Sequence, residues 1–312
     1  MPSLNIAVLG ESPESRAAAA KSIGKESSSD DMAFYHTVFQ GKIVSAIDPL
    51  AYPAKLSPLV QTLALADHAL VLAERASPVL GELIVSLDFT GPAAVFVTQL
   101  DLAPFLNGTG LRESRIFDNL DEAKNFLLSQ ESRYPPGATK VLVDHCFEVK
   151  GVGTVALGVM ARGEIKVHDK ITAYPLGKEV EVKSIQKNDQ DVQSAGPGDR
   201  VGLCLKGTKA GEVDRGTTLS TAPMQVGNEA RCQVTVSRFC KTPLTNGTVL
   251  HAGAGLQFEP AKIECAAEIG PGATAEAKIT FDNAVAWEAG EKIILTNLNA
   301  KGLRVIAAAK TL

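Results

Sequence analysis

Residues 147–207 read FEVKGVGTVALGVMARGEIKVHDKITAYPLGKEVEVKSIQKNDQDVQSAGPGDRVGLCLKG. Val155, Leu157 and Val159 alternate with small residues. Ile165 and Val167 alternate with polar ones, as do Val180 and Val182. Period-two alternation over runs this short marks strands with one face buried. Gly151, Gly153, Gly158, Gly163, Gly177, Gly196 and Gly198 punctuate the runs where turns and bulges belong. The pattern predicts a small antiparallel barrel in the middle of the chain.

Outward from this stretch, the 312 residues are 45% hydrophobic and 21% charged, enough for two or three ordinary domains. No apolar run is long enough to span a bilayer. The opening MPSLNIAVLG enters a strand with no basic segment before a long apolar run, so no secretory signal is expected and the expected compartment is cytoplasmic. Cys146, Cys204, Cys232, Cys240 and Cys265 are odd in number and lack C-x-x-C spacing, against a disulfide framework or a zinc site. His36, His68, His145, His168 and His251 form no spaced pair, so no metal site and no catalytic residue is expected. Net charge is −4 but uneven: residues 1–135 carry 10 basic and 16 acidic groups, residues 136–312 carry 21 and 19. The acidic front would repel a phosphate backbone, and the back could bind nucleic acid only through a local patch. Nothing points to DNA or a membrane as partner.

In the front part, buried-strand runs at 4–9, 69–73 and 93–97 alternate with helical patterns at 15–23, 56–66, 79–87 and 119–129. Residues 33–39 and 42–47 read as two strands joined at Gln40-Gly41, and residues 25–31 as a polar loop. Strand–helix alternation predicts a mainly parallel α/β sheet. The loop after its first strand is the default phosphate site, with the pattern G-x-x-x-x-G-K-[ST]. Here that loop is Gly10-Glu11-Ser12-Pro13-Glu14-Ser15-Arg16-Ala17. Ser15 replaces the second Gly, Arg16 the Lys and Ala17 the Mg²⁺ ligand. Pro13 removes an amide donor, and Glu11 and Glu14 put negative charge where phosphate should lie. Tyr134-Pro135-Pro136-Gly137 is a stiff linker. Residues 222–312 carry a second set of short strands, at 230–237, 256–264, 274–281, 292–296 and 303–308, and predict another small barrel.

The order of signals in the middle stretch closely resembles the second domain of translational GTPases of the elongation factor Tu and SelB type, in their archaeal forms. These signals are Gly-x-Gly-Thr-Val, then Arg-Gly-Glu-Ile-Lys-Val, Pro-Leu-Gly, and Ala-Gly-Pro-Gly-Asp-Arg-Val-Gly-Leu. The family's Asp-x-Pro-Gly-His matches Asp48-Pro49-Leu50-Ala51-Tyr52, with Ala66-Asp67 following at the expected spacing. Its Asn-Lys-x-Asp matches Thr98-Gln99-Leu100-Asp101. Asp48 and Asp101 survive; the water-orienting His is Tyr52, and the Asn and Lys of the guanine motif are gone. Asp101 reads as a helix or turn cap ahead of a guanine contact.

The resemblance implies α/β plus all-β architecture: a shortened P-loop-GTPase-like sheet domain at 1–134, a domain-2-like barrel at 138–221 and a domain-3-like barrel at 222–312. Gly10, Ser15, Arg16, Asp48 and Asp101 are then a vestigial nucleotide site, holding no cofactor or only weak GTP or GDP. Relatives use a Ser-Ile-Glu-Met segment for the 3′ end of tRNA; here it is Ser184-Ile185-Gln186-Lys187-Asn188, so Gln186, Lys187 and Asn188 are the candidate RNA contacts. Lys178, Lys183, Arg231, Arg238 and Lys241 add charge that only the fold can place. Three readings stand open: a non-hydrolysing paralogue binding tRNA or another translation component through its barrels, a protein scaffold without RNA binding, and a GTP-binding elongation factor with altered motifs.

Overall fold

β1 (Ser3–Gly10) is buried along its whole length, as a central strand covered on both faces must be. The computed structural model describes residues 2–312; Met1, the first residue of the expected α/β domain, lies outside the described residues. After β1 come α1 (Pro13–Ile23), β2 (Lys25–Ser29), β3 (Ala33–Phe39), β4 (Lys42–Asp48), α2 (Ser57–Leu65), β5 (His68–Leu72), α3 (Pro78–Thr90), β6 (Ala93–Val97), α4 (Ala103–Leu106), β7 (Arg115–Phe117) and α5 (Leu120–Ser129). They build a seven-stranded sheet in the order β2-β3-β4-β1-β5-β6-β7. From β4 to β7 neighbouring strands are parallel, while β2, β3 and β4 form an antiparallel edge. Gln40 and Gly41 turn that edge with φ of 47° and 77°, the backbone a two-residue hairpin needs.

Residues 25–31 were expected to be a loop, and the structure corrects this: Lys25–Ser29 pairs with β3 as the outermost strand. Lys25, Glu26 and Ser27 are exposed. An edge strand is held by backbone hydrogen bonds on one side and needs no apolar pattern. α4 has only four residues, so one covering element is nearly absent.

Leu4, Ile6 and Val8 point to α1 and α5. Ala7 and Leu9 point the other way, into a core made with Leu59 of α2 and Leu83 of α3 that also takes in Ile294 and Val305.

The second domain comprises β8 (Lys140–Val149), β9 (Gly153–Arg162), β10 (Ile165–Lys166), β11 (Lys170–Tyr174), β12 (Lys178–Lys187), β13 (Gln190–Val192), β14 (Ser194–Ala195), β15 (Arg200–Lys206) and β16 (Thr218–Ser220). The order β11-β16-β8-β9-β15-β12 closes through a β11–β12 pairing. The third comprises β17 (Gln225–Val236), β18 (Val249–Ala254), β19 (Gln257–Glu264), β20 (Thr274–Trp287), β21 (Lys292–Thr296) and β22 (Val305–Thr311), again a closed six-stranded barrel. β18 was absent from the sequence reading: its VLHAGA is rich in small residues and shows no bulky alternation.

The three units pack on one another. Ile294 and Val305 of the third barrel are buried against α2 and α3. Gln61 Nε2 of α2 donates to Leu256 O at 2.8 Å. Lys140 and Arg162 of the second domain pair with Glu288 of the third, at 3.4 and 2.6 Å. β18 comes close to α2 at Gly253, where a Cβ would stand 2.5 Å from Val60 Cγ1. Gly253→Ala should therefore lower stability by about 1–3 kcal/mol, the usual range for overpacking. Val60→Ala in the same chain should recover part of that loss in chemical denaturation. Unchanged stability in Gly253→Ala would show that this contact is loose.

Candidate functional site

Ser12 caps α1 by accepting from Ser15 N at 3.1 Å, and Pro13 opens the helix. This places Arg16 one turn in, with its side chain directed back under the loop after β1. The side chain is 0% exposed. Its Nε donates to Asp48 Oδ1 at 2.8 Å. Nη1 donates to Gly10 O at 2.8 Å, and Nη2 to Tyr52 O at 2.8 Å and Pro49 O at 3.3 Å. The guanidinium thus ties the first loop to the segment after β4. Burial pushes the Asp48 carboxyl above its usual range even with Arg16 against it.

The mouth of the crevice carries further internal pairs. Glu11 accepts both from Arg75 Nη2 and from Arg75 Nε, the latter at 3.0 Å. Ser15 Oγ donates to Glu74 Oε1 at 2.5 Å. The segment after β6 makes internal hydrogen bonds, with Thr98 buried and Gln99 and Asp101 exposed. Thr98 Oγ1 donates to Ala73 O at 2.5 Å, Gln99 Nε2 donates to Asp118 O at 3.2 Å, and Asp101 accepts from Ala103 N at 3.0 Å at the start of α4.

Tyr52 was read only as a lost histidine, but the structure gives it a partner set of its own. It is buried, and its hydroxyl donates to Glu82 Oε1 of α3 at 3.0 Å. Burial and the neighbouring Glu82 push its phenol well above the ordinary range. Glu82 also accepts from Arg304 of the third barrel, from Nη2 at 2.6 Å and Nε at 2.9 Å, and Arg304 Nη1 donates to Pro53 O at 2.9 Å. A polar chain therefore runs from Asp48 through Arg16, Tyr52 and Glu82 to Arg304. Sequence reasoning missed Glu82 and Arg304, which carry no local signal.

The second candidate lies some distance from this crevice. Gln186, Asn188 and Asp189 line a cavity of about 200 Å³ between β12, β15 and the α/β domain, with Leu157, Arg200 and His36. Asn188 and Asp189 have φ of 50° and 58° and turn β12 into β13. Gln186 Nε2 donates to Asp191 Oδ1 at 3.0 Å. Lys187 does not share this outlook. Its ammonium lies 2.6 Å from Asp199 Oδ1 with only 14% of its side chain exposed. Asp199 also accepts from Ser3 Oγ at 2.5 Å and Gly196 N at 2.9 Å. Arg200 stacks 3.6 Å above the Phe34 ring centroid and pairs with Asp144. Lys178 pairs with Glu212 at 2.7 Å.

Residues 153–220 match the family model for elongation factor Tu domain 2. The chain is 32% identical over 300 residues to the uncharacterized protein MJ0325 of Methanocaldococcus jannaschii, covering 93% of this chain and 94% of the other. It is 31% identical over 238 residues to the selenocysteine-specific elongation factor of the same organism, covering 72% of this chain but only 50% of that longer protein. Among solved structures, SelB from Methanococcus maripaludis in complex with the GTP analogue GppNHp superposes with a TM-score of 0.85 at 21% identity, over all of this chain and 79% of the other. A bacterial selenocysteine-specific factor gives 0.79 at 19% identity, over all of this chain and 58% of the other. The two solved structures share the fold.

Two predictions arise from these sites. Arg16→Met leaves Asp48 buried without its counter-charge, and stability should fall by about 3–5 kcal/mol at neutral pH. The loss should shrink in acid, because a protonated Asp48 needs no partner, and Asp48→Leu added to Arg16→Met should recover most of it. A neutral Arg16→Met in thermal unfolding would overturn the buried pair. Burial, with Arg200 assisting, pushes the His36 imidazole from 6.5 down to about 4. The unfolded chain then binds that proton more readily, so stability is full above the unfolded value and lost as pH falls through the folded one. At most roughly 3 kcal/mol should disappear between those limits, and His36→Phe should remove that slope.

Proposed function

The chain belongs with MJ0325 among the homologues of SelB and elongation factor Tu-type translational GTPases, and from that premise we propose that it is a translation-factor paralogue that does not hydrolyse GTP. On this reading it binds tRNA or another translation component through its barrels, in the cytoplasm. Among the described residues no helix is long and apolar enough to cross a membrane.

The observation that carries the reading is the burial of Arg16 against Asp48. A phosphate loop works by turning backbone amides, a lysine and a hydroxyl toward a triphosphate and its magnesium. Here the cation at the lysine position is spent on Asp48 and three carbonyls. Ala17 offers no metal ligand, and the loop carries two carboxylates, Glu11 held by Arg75 and Glu14 accepting from Ser12. Opening the crevice would strand a buried carboxylate. These residues do not fit GTP with Mg²⁺.

For the RNA contact, Gln186 and Asn188 offer hydrogen bonds from the cavity beside β12. The pairing of Lys187 with Asp199 favours the second reading, a scaffold that meets protein, because it withdraws the cation from solution.

Isothermal titration with GTP and Mg²⁺ should show no binding at micromolar affinity or tighter; such binding would sink the proposal. Fluorescence anisotropy with an acceptor-stem minihelix should show binding that weakens when the 3′ nucleotide is removed. Gln186→Ala should lose about 1 kcal/mol, one hydrogen bond's worth. If the wild type ignores the minihelix at low salt, the scaffold reading leads.

A further inference from the structure

A mainly apolar cavity of about 210 Å³ lies between the α/β domain and the third barrel. Pro78, Gly81 and Ile84 form one stripe of α3, three residues apart, and make its floor. Phe105 of α4, and Phe239 and Leu303 from loops of the barrel, make its walls. Phe239 is 42% exposed, a large apolar surface to leave in water. The four-residue α4 contributes only Pro104 and Phe105 to the lining, while Ile84 at the floor is 2% exposed.

Gly81 is the telling residue. It sits inside α3, where glycine costs about 1 kcal/mol relative to alanine. Its backbone is not left-handed, and a Cβ there would meet no atom within 4 Å. Neither the chain's conformation nor its own packing asks for glycine at this position. What the missing side chain provides is depth in the cavity.

The barrel loops that carry Phe239 and Leu303 also carry cations. Arg238 adjoins Phe239 and lays its guanidinium over Gly108. Lys241 lies two residues beyond Phe239 and Lys301 two before Leu303, and all three cations are exposed. None of them has an acidic partner among the described residues, whereas Lys140, Arg162, Lys178 and Arg200 are all paired. Asp101, at the start of α4, accepts from Ala103 N and keeps its charge, so the cations dominate the barrel side of the rim and not the α4 side.

We propose that this cavity is the docking site of a partner protein that inserts one apolar side chain, of phenylalanine or leucine size, from a short acidic segment. A desolvated pocket for a single anchor is the usual centre of a protein interface, and unpaired rim cations select the charge of the flanks. Gly81 and Leu303 are the chain neighbours of Glu82 and Arg304, so the partner sits directly on the clasp that joins the α/β domain to the third barrel.

The test uses an array of peptides carrying each amino acid between two acidic tripeptides, with a matching array flanked by lysines. Wild-type protein should retain acidic-flanked peptides with a central Phe, Leu, Met or Trp at least about tenfold better than Gly81→Leu does. Gly81→Leu fills the cavity from within and, by helix propensity, should melt no lower than wild type, which separates blockage from unfolding. Gly81→Ala leaves most of the space and should keep binding, while Arg238→Glu with Lys241→Glu should weaken it. Equal retention by wild type and Gly81→Leu would overturn the proposal, as would preference for lysine flanks or polar centres. A self-associating wild type dispersed by Gly81→Leu would assign the cavity to a second copy instead and overturn the acidic-partner assignment.

Discussion

The pair between Arg16 and Asp48 is the constraint on which the front half of the molecule depends. Both side chains are fully buried, and the guanidinium spreads its donors over one carboxylate and three backbone carbonyls. A planar cation with several fixed donors can join separate chain segments in a way an ammonium cannot. Net stability is not the main consequence, because desolvating two charges offsets much of their attraction. The consequence is position: the loop after β1 and the segment after β4 hold one arrangement, since leaving it would expose an unpaired charge to the core.

From that pair the constraint passes outward. The carbonyl of Tyr52 accepts from Arg16, and its hydroxyl donates to Glu82, which receives Arg304 from the third barrel. The ring of Tyr52 lies 5.9 Å from each of the two guanidinium carbons. A contact between domains is therefore made from groups inside the chain. A domain arrangement set by an exchangeable ligand depends on that ligand's concentration. One set by internal hydrogen bonds does not. The apolar core that α2 and α3 share with Ile294 and Val305 acts in the same direction.

The second domain is fastened by the same kind of economy with charge. Lys187, Arg200 and Arg162 each find a carboxylate, and the Asp199 that holds Lys187 also holds Ser3 at the start of β1. Arg162 reaches across to Glu288 of the third barrel, whereas Lys187 and Arg200 are held by carboxylates of their own domain. Hydrogen-bonding groups around Gln186 and an apolar notch beside Gly81 stay accessible.

The sequence by itself determined the class of each part. Strand period, glycine punctuation and the alternation of strands with helices are local properties, and they placed the α/β layer before two barrels. The departures at Ser15, Arg16, Ala17, Tyr52, Thr98 and Gln99 were equally legible, because a motif's chemistry resides in residue types at fixed spacing. Strands without an apolar pattern escaped, as at Lys25–Ser29 and Val249–Ala254, since their hydrogen bonds go to partners elsewhere in the chain. Only the tertiary structure decided where the charges go. An arginine in the first turn of a helix and a lysine at a strand end read as solvent-facing by type. Arg16 is buried because Asp48, 32 residues on, meets it there, and Lys187 is withdrawn because a turn brings Asp199 back. Ion pairing across long separations depends on three-dimensional proximity, and no local pattern encodes it.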